Sequence, residues 1–181
     1  QADLKTILSL GAYGMSVITA VTAQNTLGVR KLVAMDPAFV SEQMDAVLGD
    51  IGADCVKVGM LVNAGIVQAV AERVKEYGVE KLVVDPVIKS KSGATLLDDE
   101  GRQALAHDLF PVTYLLTPNI PEAEILADRS ISGVPDMKKA AKKLQSMGPR
   151  YVLVKGGHLK ESPVDVLYDG SQHYEFFTER V

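Results

Sequence analysis

The strongest constraint on this chain is an alternation of two patterns. Short apolar, β-branched runs recur along it: "MSVITAVTA" (15–23), "CVKVGM" (55–60), "KLVVDPV" (81–87), "TYLLTPN" (113–119) and "RYVLVKGG" (150–157). Between them lie stretches with helical spacing. In "DPAFVSEQMDAVLGDI", Phe39, Val40, Met44, Val47 and Leu48 form one stripe, Asp36 is placed to cap it, and Pro37 suits the first turn. "NAGIVQAVAERVKEYG" reads as a helix capped by Asn63 and ended by Gly78. "ADLKTILSL", "DDEGRQALAHDLF", "PEAEILAD" and "VPDMKKAAKKLQSMG" complete the helices. Strand alternating with helix predicts an α/β fold, a mostly parallel sheet with helices on both faces. "MSVITAVTA" reads as a strand buried on both faces. "VDVLYDG" and "HYEFFTE" alternate in polarity and predict a late antiparallel hairpin (164–178) turning at Asp169-Gly170.

In parallel sheets, ligands sit beyond the carboxyl ends of the strands. The polar residues fall there. Asp85 ends one strand, Asn119 a second, Lys155-Gly156-Gly157 a third and Gly59-Met60 a fourth, all expected along one sheet edge. Asp85, Asn119 and Glu122 are hard oxygen donors of the kind magnesium takes while keeping waters and phosphates. Phosphoryl transfer needs such an assembly together with cations and close positioning. Lys155 supplies a cation, the glycines allow close backbone approach, and "KSKSG" adds Lys89 and Lys91 on a polar loop able to cover a nucleotide. Plainer readings stand beside these. Asn119 and Glu122 also fit a helix cap with an acidic first turn, and Lys155-Gly156-Gly157 also fits a simple strand exit.

The rest of the composition excludes more than it assigns. The chain has 181 residues, which suits one domain, and a net charge of −4 with the two signs mixed. It shows no basic tract, so nucleic acid is not an expected partner. No apolar run approaches the roughly 20 residues of a membrane span, and no signal peptide is visible. One cysteine, Cys55, permits no internal disulfide, which fits a reducing, cytoplasmic setting. Cys55, Met44 and Met137 read as core residues; His107, His158 and His173 read as surface or loop residues.

Taken in order and spacing, "QADLKTILSLGAYGMSVITAVTAQNTLGV", "KVGML", "VVDPV", "KSG", "LTPNIPEAE" and "VKGGHL" resemble the hydroxymethylpyrimidine/phosphomethylpyrimidine kinases of thiamine biosynthesis, in the ribokinase superfamily. The resemblance spans essentially the whole chain and implies a ribokinase-like three-layer sandwich, one kinase domain over 1–181, ATP and Mg2+ as cofactors, a small pyrimidine substrate and a homodimer. It implies substrate-binding roles for Gln24, whose amide would read the ring, for Asp3, lining the same pocket, and for Met60, packing on the ring. It implies that Asp85, Asn119, Glu122 and Lys155 hold the nucleotide phosphates, with Asp85 and Glu122 organising the metal. Relatives that phosphorylate pyridoxal share much of the pattern.

Departures from the family pattern are specific. Val58 stands where the family usually has Thr, and Ile88-Lys89-Ser90 replaces a more apolar stretch. The family's first strand with its Gly-rich turn, and its later "GTGC"-type segment carrying the anion hole and the cysteine base, have no counterpart in 1–181. The expectation is therefore a domain incomplete at both ends, with no catalytic base among these residues; Cys55 is not that base. Two alternatives stay open, a pyridoxal kinase of the same family and a non-catalytic pyrimidine-binding paralogue.

Overall fold

The computed structural model describes residues 2–90, 93–157 and 163–177. Lys91, His158 and the end of the predicted hairpin at 178 lie outside them. A six-stranded sheet forms the centre: β3 (Val56–Val58), β4 (Leu82–Val84), β5 (Leu115–Leu116), β6 (Tyr151–Val154), β7 (Val164–Tyr168) and β8 (His173–Phe177), in that spatial order. The first four run parallel; β7 and β8 are antiparallel. The parallel pairings follow from the connections, since helices α3 (Ala64–Glu76), α4 (Asp99–Ala104), α5 (Ile120–Ala127) and α6 (Val134–Gln145) return the chain between successive strands. Helices α2 (Pro37–Leu48), α3 and α4 pack together, α5 packs on α6, and α6 lies on β6 and β7.

Helix starts follow the local chemistry. The side chains of Asp36, Asn63, Asp98 and Asn119 accept hydrogen bonds from Ala38, Ile66, Gly101 and Glu122 backbone N–H groups. Gly78, in the left-handed region at φ +60°, follows the end of α3. The core runs through Val40 and Met44 of α2, Ile66 and Val70 of α3, Leu82 and Val84 of β4, Leu116 of β5, Met137 and Leu144 of α6, and Val152, Val154 and Val166 of the sheet. Central strands buried on both faces read as continuous apolar runs for this reason.

Several sequence expectations need correction. Residues 15–23 do not form a doubly buried core strand. Only Ala20–Asn25 (β1) is strand, and it pairs with Gly28–Ala34 (β2), a strand the sequence reading missed, in a separate two-stranded arm. With no layer over its outer face, Val21 and Val33 stand opposite one another in solvent. The arm is tied to the body at its base, where Gln43 both donates to and accepts from the Ile18 backbone and Thr19 Oγ1 donates to the Met60 carbonyl at 2.6 Å. Phe39 is 51% exposed rather than part of the α2 core stripe. Cys55 is exposed, because it precedes β3, and β3 has a strand on one side only among the described residues. His173 opens β8, where the predicted hairpin put it, but it is half-buried rather than on the surface: it stacks on Tyr168 at 4.5 Å between centroids and meets the Lys138 carbonyl through Nε2. The single helix expected over 98–110 is α4 followed by a π-helical stretch at Leu105–Leu109 and a 3-10 turn at Phe110–Val112.

Candidate active site

The carboxyl ends of β4, β5 and β6 are stitched into one ledge. Thr117 N–H donates to the Val84 carbonyl at 2.9 Å, and Lys155 N–H donates to the Pro118 carbonyl at 2.8 Å. These bonds place Asp85, Asn119 and Lys155, distant in sequence, side by side. Lys155 Nζ meets Asp85 Oδ1 at 2.7 Å, a pair bridging two strands with β5 between them. Thr117 Oγ1 lies 3.5 Å from the same oxygen.

Asn119 and Glu122 form a reciprocal cap at the start of α5. Asn119 Oδ1 accepts from the Glu122 N–H, and Glu122 Oε2 accepts from the Asn119 N–H, both at 2.9 Å. The plainer reading of these residues as a cap is therefore what their atoms do. It does not exhaust them. Glu122 is only 5% exposed, one of two buried polar residues among those described, and a cap rarely needs that degree of burial. Burial pushes its carboxyl above the usual 4.5, and the nearby Asp85 charge adds to this; the Asn119 amide, Lys155 and the Ile88 amide pull the other way.

A cleft of about 620 Å3 opens over this ledge. Asp85, Asn119, Glu122 and Lys155 line it together with Gln24, Met60, the arm tip Asn25–Gly28, Lys89 and Ser90. The Asn25 side chain closes the arm tip by accepting from the Leu27 and Gly28 amides, which holds Leu27 out over the cleft. The structure thus brings together six of the seven residues singled out from sequence. Asp3 is the exception. It does not line the cleft, and its carboxylate pairs with Lys57 of β3 at 2.9 Å.

The donor set is sparse. Among the described residues, Asp85 and Glu122 are the two carboxylates of the cleft, and no three His, Cys, Asp or Glu side chains gather as a metal cage. Two carboxylates beside a half-buried amide suit a hard cation held largely by phosphate oxygens and water. Gly156 carries a different message from the one its sequence suggests. A Cβ there would stand 1.9 Å from the Val164 carbonyl oxygen, so β7 itself demands a glycine. Among the described residues, no atom lies within 4 Å of such a position at Gly157. Sequence reasoning missed Thr22, Asn25 and Leu96 as cleft residues; Asn25, three residues before Gly28, was a turn signal that would have placed the arm tip.

Comparison with known proteins identifies the lineage. The pattern of the phosphomethylpyrimidine kinase family matches residues 1–181. A hydroxymethylpyrimidine/phosphomethylpyrimidine kinase of Bacillus subtilis is 48% identical over 173 residues, covering 94% of this chain and 64% of the relative. A thiamine biosynthesis bifunctional protein of Geobacter sulfurreducens is 49% identical over 182 residues, covering the whole chain and 37% of the relative. The chain thus spans well under two thirds of one of these proteins and just under two thirds of the other. Among solved structures, a phosphomethylpyrimidine kinase from Clostridium difficile 630 superposes with a TM-score of 0.90 at 43% identity, covering 98% of this chain and 77% of that one. A Bacillus subtilis pyridoxal kinase in complex with ADP superposes with a TM-score of 0.89 at 34% identity, covering 100% and 69%. The chain belongs to the phosphomethylpyrimidine kinase family.

Proposed function

We propose that this family member transfers the terminal phosphoryl group of ATP to the hydroxymethyl oxygen of 4-amino-5-hydroxymethyl-2-methylpyrimidine, and then to the phosphate of that product. The observation that carries the reading is the shared cleft: an amide and a thioether, Gln24 and Met60, face the same space as Asp85, Asn119, Glu122 and Lys155. Gln24 offers a donor and an acceptor to ring nitrogens and an amino group. Met60 offers a polarisable surface to an aromatic ring. Lys155 bears on phosphate oxygens, and Asp85 and Glu122 are the groups that would hold magnesium, which neutralises charge on the phosphates. The new bond joins the hydroxymethyl oxygen to phosphorus while ADP leaves; none of these six residues is assigned as the base that takes the hydroxyl proton.

This reading includes one kinase domain over 1–181, a cytoplasmic setting consistent with a single cysteine, and a homodimer that covers the outer face of the arm, where Val21 and Val33 are exposed. Sedimentation at micromolar concentration checks the dimer. The pyridoxal kinase likeness favours one second reading, pyridoxal as substrate. The deciding experiment incubates the natural gene product with Mg-ATP and either hydroxymethylpyrimidine or pyridoxal, and detects products by mass spectrometry. The pyrimidine mono- and diphosphates are expected. Phosphorylation of pyridoxal alone would reassign the substrate, and pyrimidine binding with no transfer in either tube would make the protein a non-catalytic binder.

A further inference from the structure

We infer that Lys89 is a phosphate-binding residue of this cleft. The inference rests on the kinase reading above. Lys89 lines the cleft together with Asp85, Glu122 and Lys155, the other three charged residues there among those described. Their charges are already answered. Asp85 and Lys155 are paired at 2.7 Å, and Glu122 is buried with Oε2 bonded to the Asn119 amide. Of the two cations, Lys155 is paired, while Lys89 has no carboxylate partner among the described residues. An unpaired ammonium beside a pocket for polyanions is placed for a charge-assisted bond to phosphate oxygen.

The backbone fixes its position. Ile88 is fully buried and its carbonyl accepts from the Leu96 and Leu97 amides, while Lys89 bridges Thr95. Alternation along this extended segment turns Lys89 to the opposite side from Ile88. The Ser90 hydroxyl accepts from the Ala94 amide and Gly93, at φ +87°, completes the turn. Lys89 is therefore held at the cleft wall on an anchored hairpin.

The phosphate has two sources, the nucleotide and a phosphorylated substrate, and direct binding separates them. The full-length protein, its Lys89→Gln variant and its Lys89→Arg variant are titrated by calorimetry with Mg-ADP, with the pyrimidine monophosphate and with unphosphorylated hydroxymethylpyrimidine. Because Lys89 is exposed, the expected weakening is about five- to tenfold for Lys89→Gln at low salt, smaller at 0.5 M salt, and restored by arginine. Loss confined to Mg-ADP places the contact on the nucleotide; loss confined to the monophosphate places it on the substrate. The unphosphorylated pyrimidine should bind all three proteins alike. Equal affinities of wild type and Lys89→Gln for both phosphorylated probes overturn the inference and leave the kinase reading intact. An equal loss for the unphosphorylated pyrimidine also overturns it, since damage to the pocket then explains the effect. Failure of the wild type to bind any probe overturns the kinase reading and this inference with it.

Discussion

Replacing Gly156 with alanine tests how the ledge is held. Gly156 stands opposite Val164 in the continuing β6–β7 register, and its N–H donates to Asp165 Oδ1 at 2.7 Å. An added Cβ would meet the Val164 carbonyl oxygen at 1.9 Å, its carbon at 2.7 Å and Met137 Cε at 3.2 Å. The nearest approach that real Cβ atoms tolerate is about 3.0 Å, so two backbones must separate and the bond to Asp165 must lengthen. Overpacking costs about 1–3 kcal/mol, and a lost hydrogen bond to a carboxylate about 1.5–3 kcal/mol. A total near 3 kcal/mol lowers the melting temperature by about 6–12 °C in a domain of this size. Lys155 is the preceding residue, so its contact with Asp85 should suffer as well, and nucleotide affinity should fall along with stability. Thermal and urea unfolding of Gly156→Ala, with Gly157→Ala as the control that meets nothing, measure this. If Gly156→Ala melts within about 2 °C of the wild type while losing nucleotide affinity, the packing argument is wrong. The glycine would then serve close approach to a phosphate, as its sequence context suggests.

Two further predictions bear on the cap. Asn119→Ala removes the acceptor for the Glu122 N–H and should cost about 1 kcal/mol in urea unfolding, with Asn119→Asp restoring most of it; no change would show that α5 is held by packing alone. Glu122 has a carboxyl raised above 4.5 chiefly by burial, so its ionisation destabilises the ligand-free fold as pH rises through the raised value. Glu122→Gln should therefore gain stability relative to wild type between pH 4 and pH 7, and parallel pH–stability curves would refute the burial argument.

The residues that proved easiest to place from sequence are those whose role is set by one element. Asp36, Asn63 and Asn119 each combine a capping side chain with the start of an apolar period, and each caps the helix expected of it. The strand ends carrying Asp85, Asn119 and Lys155 were legible because a parallel sheet aligns its carboxyl edges. What failed depended on neighbours. A β-branched run such as "MSVITAVTA" looks the same whether a layer covers it or not, and here its partner is only β2. Phe39 shares the α2 period, but nothing among the described residues packs over it fully. Cys55 sits in an apolar stretch whose strand has one described neighbour. Asp3 and Lys57 lie 54 residues apart and their pairing has no local signature, so a pocket role for Asp3 had nothing in the sequence against it.

The cap and the candidate metal-phosphate site use the same atoms, and this explains why one reading of "TPNIPEAE" does not displace the other. Asn119 Oδ1 and Glu122 Oε2 are each spent once on a backbone amide. A carboxylate offers about four lone-pair sites and an amide oxygen two, so both groups retain acceptor capacity. The cap fixes their rotamers before any ligand arrives, which lowers the ordering entropy that binding would otherwise cost. A helix on the surface would gain as much from an exposed glutamate. Burying Glu122 near Asp85 instead raises the energy of its charged form, and a cation held by these carboxylates would lower it again. The cost of the charged carboxylate and the metal-phosphate affinity proposed for this site would then have the same source: a carboxylate kept from water in the first turn of α5.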